Sequence, residues 1–117
     1  MKIAFIYSEK YKKYEKLINS IINDLKNEYT SSQNVFDINV NINTRRKYDL
    51  YMVFSDDAED FDVETTLLKG KSMLITSNLK SEYIAHVITK VTDIVYSENK
   101  ISTIINRING NLKRSHE

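Results

Sequence analysis

The sequence lacks cysteine, proline and tryptophan, and it has only two glycines among its 117 residues. Without cysteine there is no disulfide, no thiolate nucleophile and no cysteine-ligated zinc, a composition that a reducing compartment permits. The net charge of +1 argues against strong non-specific binding to nucleic acid. No apolar run approaches the roughly 20 residues that span a bilayer. We therefore expect a cytoplasmic protein.

What is present is an alternation of strand and helix patterns. Short apolar runs such as Lys2–Tyr7, Asp49–Ser55 and Lys71–Thr76 are typical of buried parallel strands. Predicted strands begin at about residues 2, 36, 49, 71 and 93, and helices follow the first, third, fourth and fifth. This pattern predicts a three-layer α/β sandwich with a mostly parallel five-stranded sheet in the order 2-1-3-4-5. Residues 1–112 would form one domain and residues 113–117 a frayed tail.

The second crossover departs from a regular α/β pattern. Apolar and polar residues alternate from Phe36 to Asn43, as in an edge strand with one wet face. Only Thr44–Tyr48 separates this strand from the next, and a parallel crossover usually needs a dozen or more residues. Either the second crossover helix is short or absent, or this edge strand pairs antiparallel.

Three helix boundaries can be predicted from capping residues and breaks. Ser8 is a candidate N-cap for a long helix, Glu9–Tyr29, which ends at a turn-rich segment. The acidic run Asp56–Asp62 is interpreted as a loop, followed by a short helix at Val63–Leu68. Asn78 is a candidate cap for a helix with an apolar inner face. That face comprises Tyr83, Ile84, Val87, Ile88 and Val91, and the last helix is predicted at Asn99–Leu112.

Polar residues at the ends of the predicted strands are the candidate ligand-binding groups, because parallel sheets bind ligands at their carboxyl edge. They are Ser8, Glu9 and Lys10 after the first strand, Asp56 and Asp57 after the third, Thr76 at the end of the fourth, and Ser97 after the fifth. Carboxylates of the acidic run are the oxygen ligands that magnesium prefers, but a solvated loop is the simpler interpretation. No catalytic residue, cofactor or metal site is assigned.

Basic residues cluster near the same edge. Lys12 and Lys13 lie at the start of the first helix, and Arg45, Arg46 and Lys47 lie in the next loop. They are candidates for binding an anion or nucleic acid, and the alternative is a solvated helix face. Tyrosines and His86 have simpler interpretations. Tyr11, Tyr14, Tyr29 and Tyr83 fall on core stripes, and His86 is interpreted as a packing or surface residue.

Three segments resemble the receiver domain of bacterial response regulators. YDLYMVFSDD at Tyr48–Asp57 is similar to the third strand and phosphoacceptor loop of that family, and Ile75–Ser77 resembles its fourth strand with the switch threonine. Thr92–Ile108 resembles its fifth strand and last helix. The resemblance implies a receiver-like, flavodoxin-like fold.

The departures from the receiver pattern fall at its chemical positions. The phosphoaccepting aspartate is met by Phe54, with Asp56 two places later, and the lysine after the fifth strand is met by Ser97. Only Glu9 remains where the family holds magnesium, whereas Thr76 matches. A degenerate receiver of this kind implies a non-catalytic regulatory or protein-interaction module, and a homodimer through Asn78–Leu112, which includes the last two helices.

Two alternative functions stay open at the level of sequence. Phe5–Leu25 also resembles the opening of TIR domains, which implies a small-ligand or nucleotide-binding enzyme with Glu64 as a candidate acid and Ser8, Asp56 and Thr76 at the site. The other is a nucleic-acid-associated accessory protein that binds through Arg45, Arg46 and Lys47.

Overall fold

A computed structural model describes residues 1–39, 47–66 and 68–114, and for residue 114 it describes the backbone alone. The first half holds β1 (Lys2–Tyr7), a 3-10 helix (Glu9–Tyr11), α1 (Tyr14–Glu28), β2 (Val35–Ile38) and β3 (Leu50–Phe54). The second half holds α2 (Ala58–Thr65), β4 (Ser72–Thr76), α3 (Ser81–Val87), β5 (Asp93–Tyr96) and α4 (Ile101–Arg114).

The sheet has the order β2-β1-β3-β4-β5, and every neighbouring pair is parallel. The predicted α/β sandwich and its strand order are therefore confirmed. Since β2 runs parallel to β1, with Lys2 opposite Val35, the antiparallel alternative at this edge is wrong. Most of the second crossover lies in residues 40–46, outside the described residues, and its predicted short or absent helix stays a prediction.

Two apolar layers cover the sheet. On one face α1 and α4 pack together over side chains such as Phe5, Phe54 and Ile75. On the other face α2 and α3 cover Val53 and Leu74. Every residue of β3 and β4 is buried, which explains their near-continuous apolar sequences. The first and last helices therefore share one face, as right-handed crossovers require.

The acidic run is mostly helical, so its interpretation as a loop is wrong. The helix α2 begins at Ala58, and the carboxylate of Asp57 caps it by accepting a hydrogen bond from the Asp60 backbone N–H (2.8 Å). Acidic side chains in a first helical turn are favoured by the helix dipole, and aspartate is a preferred N-cap. The cluster of acidic residues that follows β3 therefore marks the start of a helix.

The predicted first helix is divided in two. Ser8 caps the 3-10 helix, where its hydroxyl accepts from the Lys10 N–H (3.3 Å), and the chain turns at Lys12 and Lys13 before α1 begins at Tyr14. Ser8 is therefore a cap, but of a shorter element than expected. This division fixes where the basic and aromatic side chains of residues 10–14 point.

Three further helix boundaries differ from the predictions. Helix α3 begins at Ser81, so Asn78 is not its cap; the Asn78 side chain instead accepts from the Lys80 N–H (3.0 Å). Because α3 ends at Val87, Ile88 does not reach the core and is 56% exposed. Helix α4 continues past Leu112 to residue 114, and residues 115–117 lie outside the described part.

Among the described residues, no helix has the length and apolar character to cross a membrane.

Candidate functional site

The carboxyl edge of the sheet collects polar side chains from three connections. Asp56 and Asp57 follow β3, Thr76 ends β4 and Ser77 follows it, and residues 8–14 follow β1. Because the strands are parallel, these segments meet at one edge, where ligands bind in open α/β sheets. The sequence prediction that strand-end residues lie together is met for part of the set.

Asp56 is the centre of this edge. Its Oδ1 accepts hydrogen bonds from the Tyr14 hydroxyl, the Thr76 hydroxyl (3.0 Å) and the Ser77 backbone N–H (2.8 Å). Its Oδ2 accepts from the Lys13 ammonium and the Ser77 hydroxyl (2.7 Å). The side chain is only 14% exposed. Both carboxylate oxygens are thus occupied by donors of the chain itself.

A second lysine-tyrosine pair, Lys10 and Tyr11, holds Asp57 in the same manner. Its Oδ2 accepts from the Lys10 ammonium (2.8 Å) and from the Tyr11 hydroxyl. Two lysine-tyrosine dipeptides, three residues apart, therefore bind two consecutive aspartates. We call these six residues, Lys10, Tyr11, Lys13, Tyr14, Asp56 and Asp57, the Lys-Tyr clamp.

Local backbone geometry explains how neighbouring aspartates take separate partners. Asp57 has extended backbone angles, and successive side chains of an extended segment point in opposite directions. On the other side, residues three apart in a helical turn lie on one face, which places both lysine-tyrosine pairs toward the β3–α2 connection. Each of the two lysine-tyrosine pairs in the KYKKY repeat therefore contacts one of the two adjacent aspartates.

The clamp shifts the acidities of its members. Burial works to raise the pKa of Asp56, but hydrogen bonds from Lys13, Tyr14 and Ser77 outweigh it and hold that pKa well below its ordinary value. Hydrogen bonds from Lys10 and Tyr11 lower the pKa of Asp57 to about 2. Burial, reinforced by the hydrogen bond to Asp56, raises the pKa of the Tyr14 phenol. Both carboxylates are therefore ionised and both tyrosines neutral at physiological pH.

The segment that follows β4 also binds the backbone of Asp56. The Asn78 side chain donates to the Asp56 backbone carbonyl (2.8 Å), and the Asn78 N–H donates to the Thr76 hydroxyl (3.0 Å). Thr76 is fully buried. On the far side, the Tyr83 hydroxyl donates to the Ser55 carbonyl (2.9 Å). The β3–α2 connection is therefore tied to α1, to the β4–α3 connection and to α3.

Other predicted site residues lie apart from these contacts or at their margin. Ser97 is beside Tyr14 at the end of β5, where its backbone N–H donates to the Thr76 carbonyl (2.8 Å). Glu9 is exposed in the 3-10 helix, and Lys12 and Lys47 are also exposed. Arg45 and Arg46 lie outside the described residues. The anion or nucleic-acid patch stays a prediction, with Lys13 engaged by Asp56.

Phe54 lies at the position that the receiver resemblance gives to the phosphoacceptor. Its ring is fully buried between those of Phe5 and Tyr14, with centroid separations of 6.4 and 5.5 Å. Asp56 lies beyond the end of β3. In the described ranges, no group of three or more histidine, aspartate or glutamate side chains is arranged to hold a metal ion.

Sequence reasoning missed the donors that surround the aspartates. Tyr11 and Tyr14 were correctly placed on a core stripe, but their hydroxyl groups reach the carboxyl edge. The signal was the lysine-tyrosine repeat itself, since an amphipathic tyrosine at the first turn of a helix can bury its ring and present its hydroxyl at the end of the sheet. Glu64, the candidate acid of the TIR resemblance, lies on α2 with its pKa raised by burial.

His86 also has a specific partner. Its Nε2 lies 2.9 Å from Asp62 Oδ1, and the Lys90 ammonium lies 3.2 Å from the same oxygen. These contacts join α2 to the end of α3 and its following turn. The interpretation of His86 as a surface residue holds, with an ion-pairing role added when the imidazole is protonated.

An apolar groove lies on the α3–β5 side of the molecule. We define it by five residues: Leu79, Ile84, Ile88, Val91 and Ile94. Leu79 and Ile88 are 55% and 56% exposed. The groove falls within Asn78–Leu112, the stretch for which the receiver resemblance implies a dimer contact.

Comparison with known proteins gives a consistent fold. No protein-family model and no curated protein sequence matches the chain. The pilus assembly protein CpaE from Caulobacter crescentus CB15 superimposes with a TM-score of 0.64 at 9% identity, covering 93% of this chain and 97% of that one. The response regulatory domain of protein mrkE from Klebsiella pneumoniae gives 0.60 at 17% identity, with 99% and 98% covered.

A third neighbour is an atypical orphan response regulator whose structure is described as revealing a phosphorylation-independent regulatory mechanism. It superimposes with a TM-score of 0.61 at 20% identity, over 97% of this chain and 96% of that one. These likenesses agree with the parallel sheet order and with helices on both faces. The chain therefore has a receiver-like, flavodoxin-like fold.

Proposed function

We propose that the chain is a non-catalytic regulatory or protein-interaction module that uses a receiver-like fold as a binding scaffold. The observation that carries this proposal is the complete engagement of Asp56, whose two carboxylate oxygens accept hydrogen bonds from Lys13, Tyr14, Thr76 and Ser77. A carboxylate that must attack an incoming group needs a free oxygen and a path from solvent. In this structure both Asp56 oxygens accept hydrogen bonds from the chain, and the side chain is only 14% exposed.

Energetics favour keeping this carboxylate paired. Removing its donors would leave a largely buried charge with part of its hydrogen bonds unmade, a costly state in a protein interior. A reaction at Asp56 would have to break these contacts before chemistry began. The structural neighbour with a phosphorylation-independent mechanism supports a fold of this type acting without that modification.

The surface that we assign to interaction is the apolar groove together with the neighbouring part of Asn78–Leu112. Exposed leucine and isoleucine side chains that line one groove mark interaction sites more strongly than scattered apolar residues do. We propose a second copy of the chain as the partner, through a two-fold contact of this face with itself. Self-complementary contacts of this kind are the commonest form of soluble oligomer.

Sedimentation velocity over a concentration series tests the interaction. We expect a reversible dimer of the full chain, and we expect Ile88→Ser to shift the equilibrium to the monomer because it removes an exposed apolar contact. The matched control is Val63→Ser, since Val63 is 66% exposed on α2, outside the groove. A monomer at every concentration, or equal loss in both variants, would contradict the assignment of this face.

Incubation with acetyl phosphate and magnesium, followed by intact-mass measurement, tests the non-catalytic part. We expect no added phosphoryl group on the wild-type chain. A phosphoryl adduct that forms on the wild type and disappears in Asp56→Asn would show that Asp56 is reactive despite its contacts, and the module would then have to be regarded as a phosphorylated one.

A further inference from the structure

The basic residues that the sequence groups into one patch lie at opposite ends of the sheet. Lys12 and Lys13 follow β1 at its carboxyl end, whereas Lys47 comes shortly before β3 and lies at the amino end. Lys2 begins β1, and Lys69 comes shortly before β4. Because β1, β3 and β4 are parallel neighbours, the last three lysines lie along the amino edge of the sheet, across two interstrand spacings or about 10 Å.

The lysines of this edge differ from those of the Lys-Tyr clamp, which each contact an aspartate. Lys2, Lys47 and Lys69 are exposed, as is Lys113 near the end of α4, and we call these four the amino-edge lysines. Within the described ranges, none of them makes an ion pair. The helix dipole favours a cation in a last helical turn, but only Lys113 lies in one. The edge therefore presents unpaired positive charge that an anionic partner would neutralise.

A cavity of about 260 Å³ lies at the same edge. Its lining includes Tyr29, Asp49, Leu112 and Lys113, which come from the ends of α1 and α4 and from the start of β3. Pockets for drug-sized ligands have about 300–1,000 Å³, so this cavity admits a smaller group. The Tyr29 hydroxyl donates a hydrogen bond to Asn109 Oδ1, which holds the tyrosine ring in place at the cavity wall.

We propose that the amino edge binds single-stranded nucleic acid, with phosphates on the amino-edge lysines and one unstacked base in the cavity beside the Tyr29 ring. Lysines that are spread along an edge match an extended polyanion better than a single phosphate group, which converging donors would bind. An aromatic ring beside a basic surface favours a single strand, because every base can stack on such a ring. A duplex offers no unstacked base, and an acidic polypeptide offers charge without a base.

The expected binding is weak and depends on salt. The chain has a net charge of only +1, so the attraction comes from the local group of lysines rather than from the whole molecule. Non-specific complexes of proteins with nucleic acid have dissociation constants of about 10⁻⁴–10⁻⁶ M. This surface uses none of the five residues that define the apolar groove, so failure of the proposed dimer would leave it standing.

Fluorescence anisotropy with a short labelled single-stranded oligonucleotide tests the role of the lysines. Wild type is compared with Lys47→Gln/Lys69→Gln and with Lys12→Gln/Lys16→Gln, a control that removes the same charge from exposed residues near the opposite end of the sheet. We expect the first double variant to bind about ten-fold more weakly at about 0.1 M salt. Its slope of log K against log salt should become shallower by about 1.4, since each phosphate contact of a single strand contributes about 0.7. The control should stay within about two-fold of wild type.

Substitutions at Tyr29 test the place of the base. Tyr29→Leu removes the ring and should weaken binding about five-fold or more, whereas Tyr29→Phe keeps the ring and should bind like wild type. Thermal melting followed by circular dichroism checks that each variant is folded. Wild type should also prefer the single strand to a duplex of the same sequence and to polyglutamate.

Several results would overturn the proposal. They are absence of binding by wild type, equal weakening in the two lysine double variants, and equal loss in Tyr29→Leu and Tyr29→Phe. Tighter binding of the duplex would exclude a role for an unstacked base. Equal or tighter binding of polyglutamate would assign the edge to an acidic protein instead of nucleic acid.

Discussion

The carboxyl edge of the sheet and the apolar groove differ in whether their side chains are paired within the chain or exposed to solvent. At the edge, polar groups of Asp56 and its neighbours are paired within the chain, and the central carboxylate is 14% exposed. In the groove, Leu79 and Ile88 leave more than half of their surface to solvent. The comparison teaches that an internally satisfied site serves stability, whereas an unsatisfied surface is available to a partner. Mutations should therefore cost stability at the edge and association in the groove.

The largest effect on stability is expected from Asp56→Ala. It removes the shared acceptor of Tyr14, Thr76 and Ser77, and it leaves buried donors without partners. We expect the free energy of unfolding to fall by about 2–3 kcal/mol. Urea denaturation followed by circular dichroism measures it. The control, Asp24→Ala on the exposed side of α1, should change it by less than about 0.5 kcal/mol. Equal effects of the two substitutions would remove the distinction between the edge and an ordinary surface.

Lowering the pH should reduce the free energy of unfolding over a range that is set by the pKa values of Asp56 and Asp57. The pKa values of Asp56 and Asp57 are lowered in the folded state, so ionisation of these groups stabilises the fold. This contribution is fully present above about pH 5, and it is lost as the pH falls through the unfolded value of about 3.9 toward the lower folded values. The free energy of unfolding, measured across that range, should decline more steeply for wild type than for Asp56→Asn. Parallel curves would contradict the assigned pairing.

A smaller loss is expected from Tyr14→Phe. The ring is buried and stays in place, while the hydroxyl that donates to Asp56 and accepts from the Ser77 N–H is removed. We expect a loss of about 1 kcal/mol. Combining it with Asp56→Asn in a double-mutant cycle should give a coupling free energy distinct from zero. Strict additivity would mean that the two side chains do not act together.

The smallest effect on stability belongs to the groove. Ile88→Ser should change the free energy of unfolding of the monomer by less than about 0.5 kcal/mol, because the side chain is mostly exposed beyond the end of α3. Denaturation at a concentration where the chain is monomeric measures it, with Val87→Ser as the buried counterpart. If Ile88→Ser destabilised as much as Val87→Ser, the groove would be part of the core.

The fold could be predicted from sequence because its central strands are buried on both faces. Their apolar runs, such as Leu50–Phe54, mark strands without help from long-range contacts. The acidic segment after Asp56 was harder, because a run of carboxylates is typical both of a solvated loop and of a first helical turn. The Asp57 side chain resolves this choice by capping α2, and that contact depends on backbone angles that the sequence does not display.

The positions of Asp56 and Thr76 at the ends of predicted strands indicate that both lie at the carboxyl edge of the sheet. They do not indicate which side chains donate hydrogen bonds to Asp56. The contact between Lys13 and Asp56 joins residues 43 positions apart, and it depends on where α1 begins. The chain turns at Lys12 and Lys13 between the 3-10 helix and α1, and this turn sets the position of the Lys13 side chain. The division into a 3-10 helix and α1 was therefore the missing piece, and local propensity alone does not reveal it.

Carbon-13 NMR titration of the Asp56 side-chain carboxyl tests most directly whether the carboxyl edge is closed by its own side chains. In the wild-type chain we expect this carboxyl to stay ionised well below pH 3.9, the ordinary value for aspartate, and its shift to be insensitive to magnesium. An ordinary titration midpoint, together with a magnesium-dependent shift in the wild type, would show an open carboxylate and contradict the account.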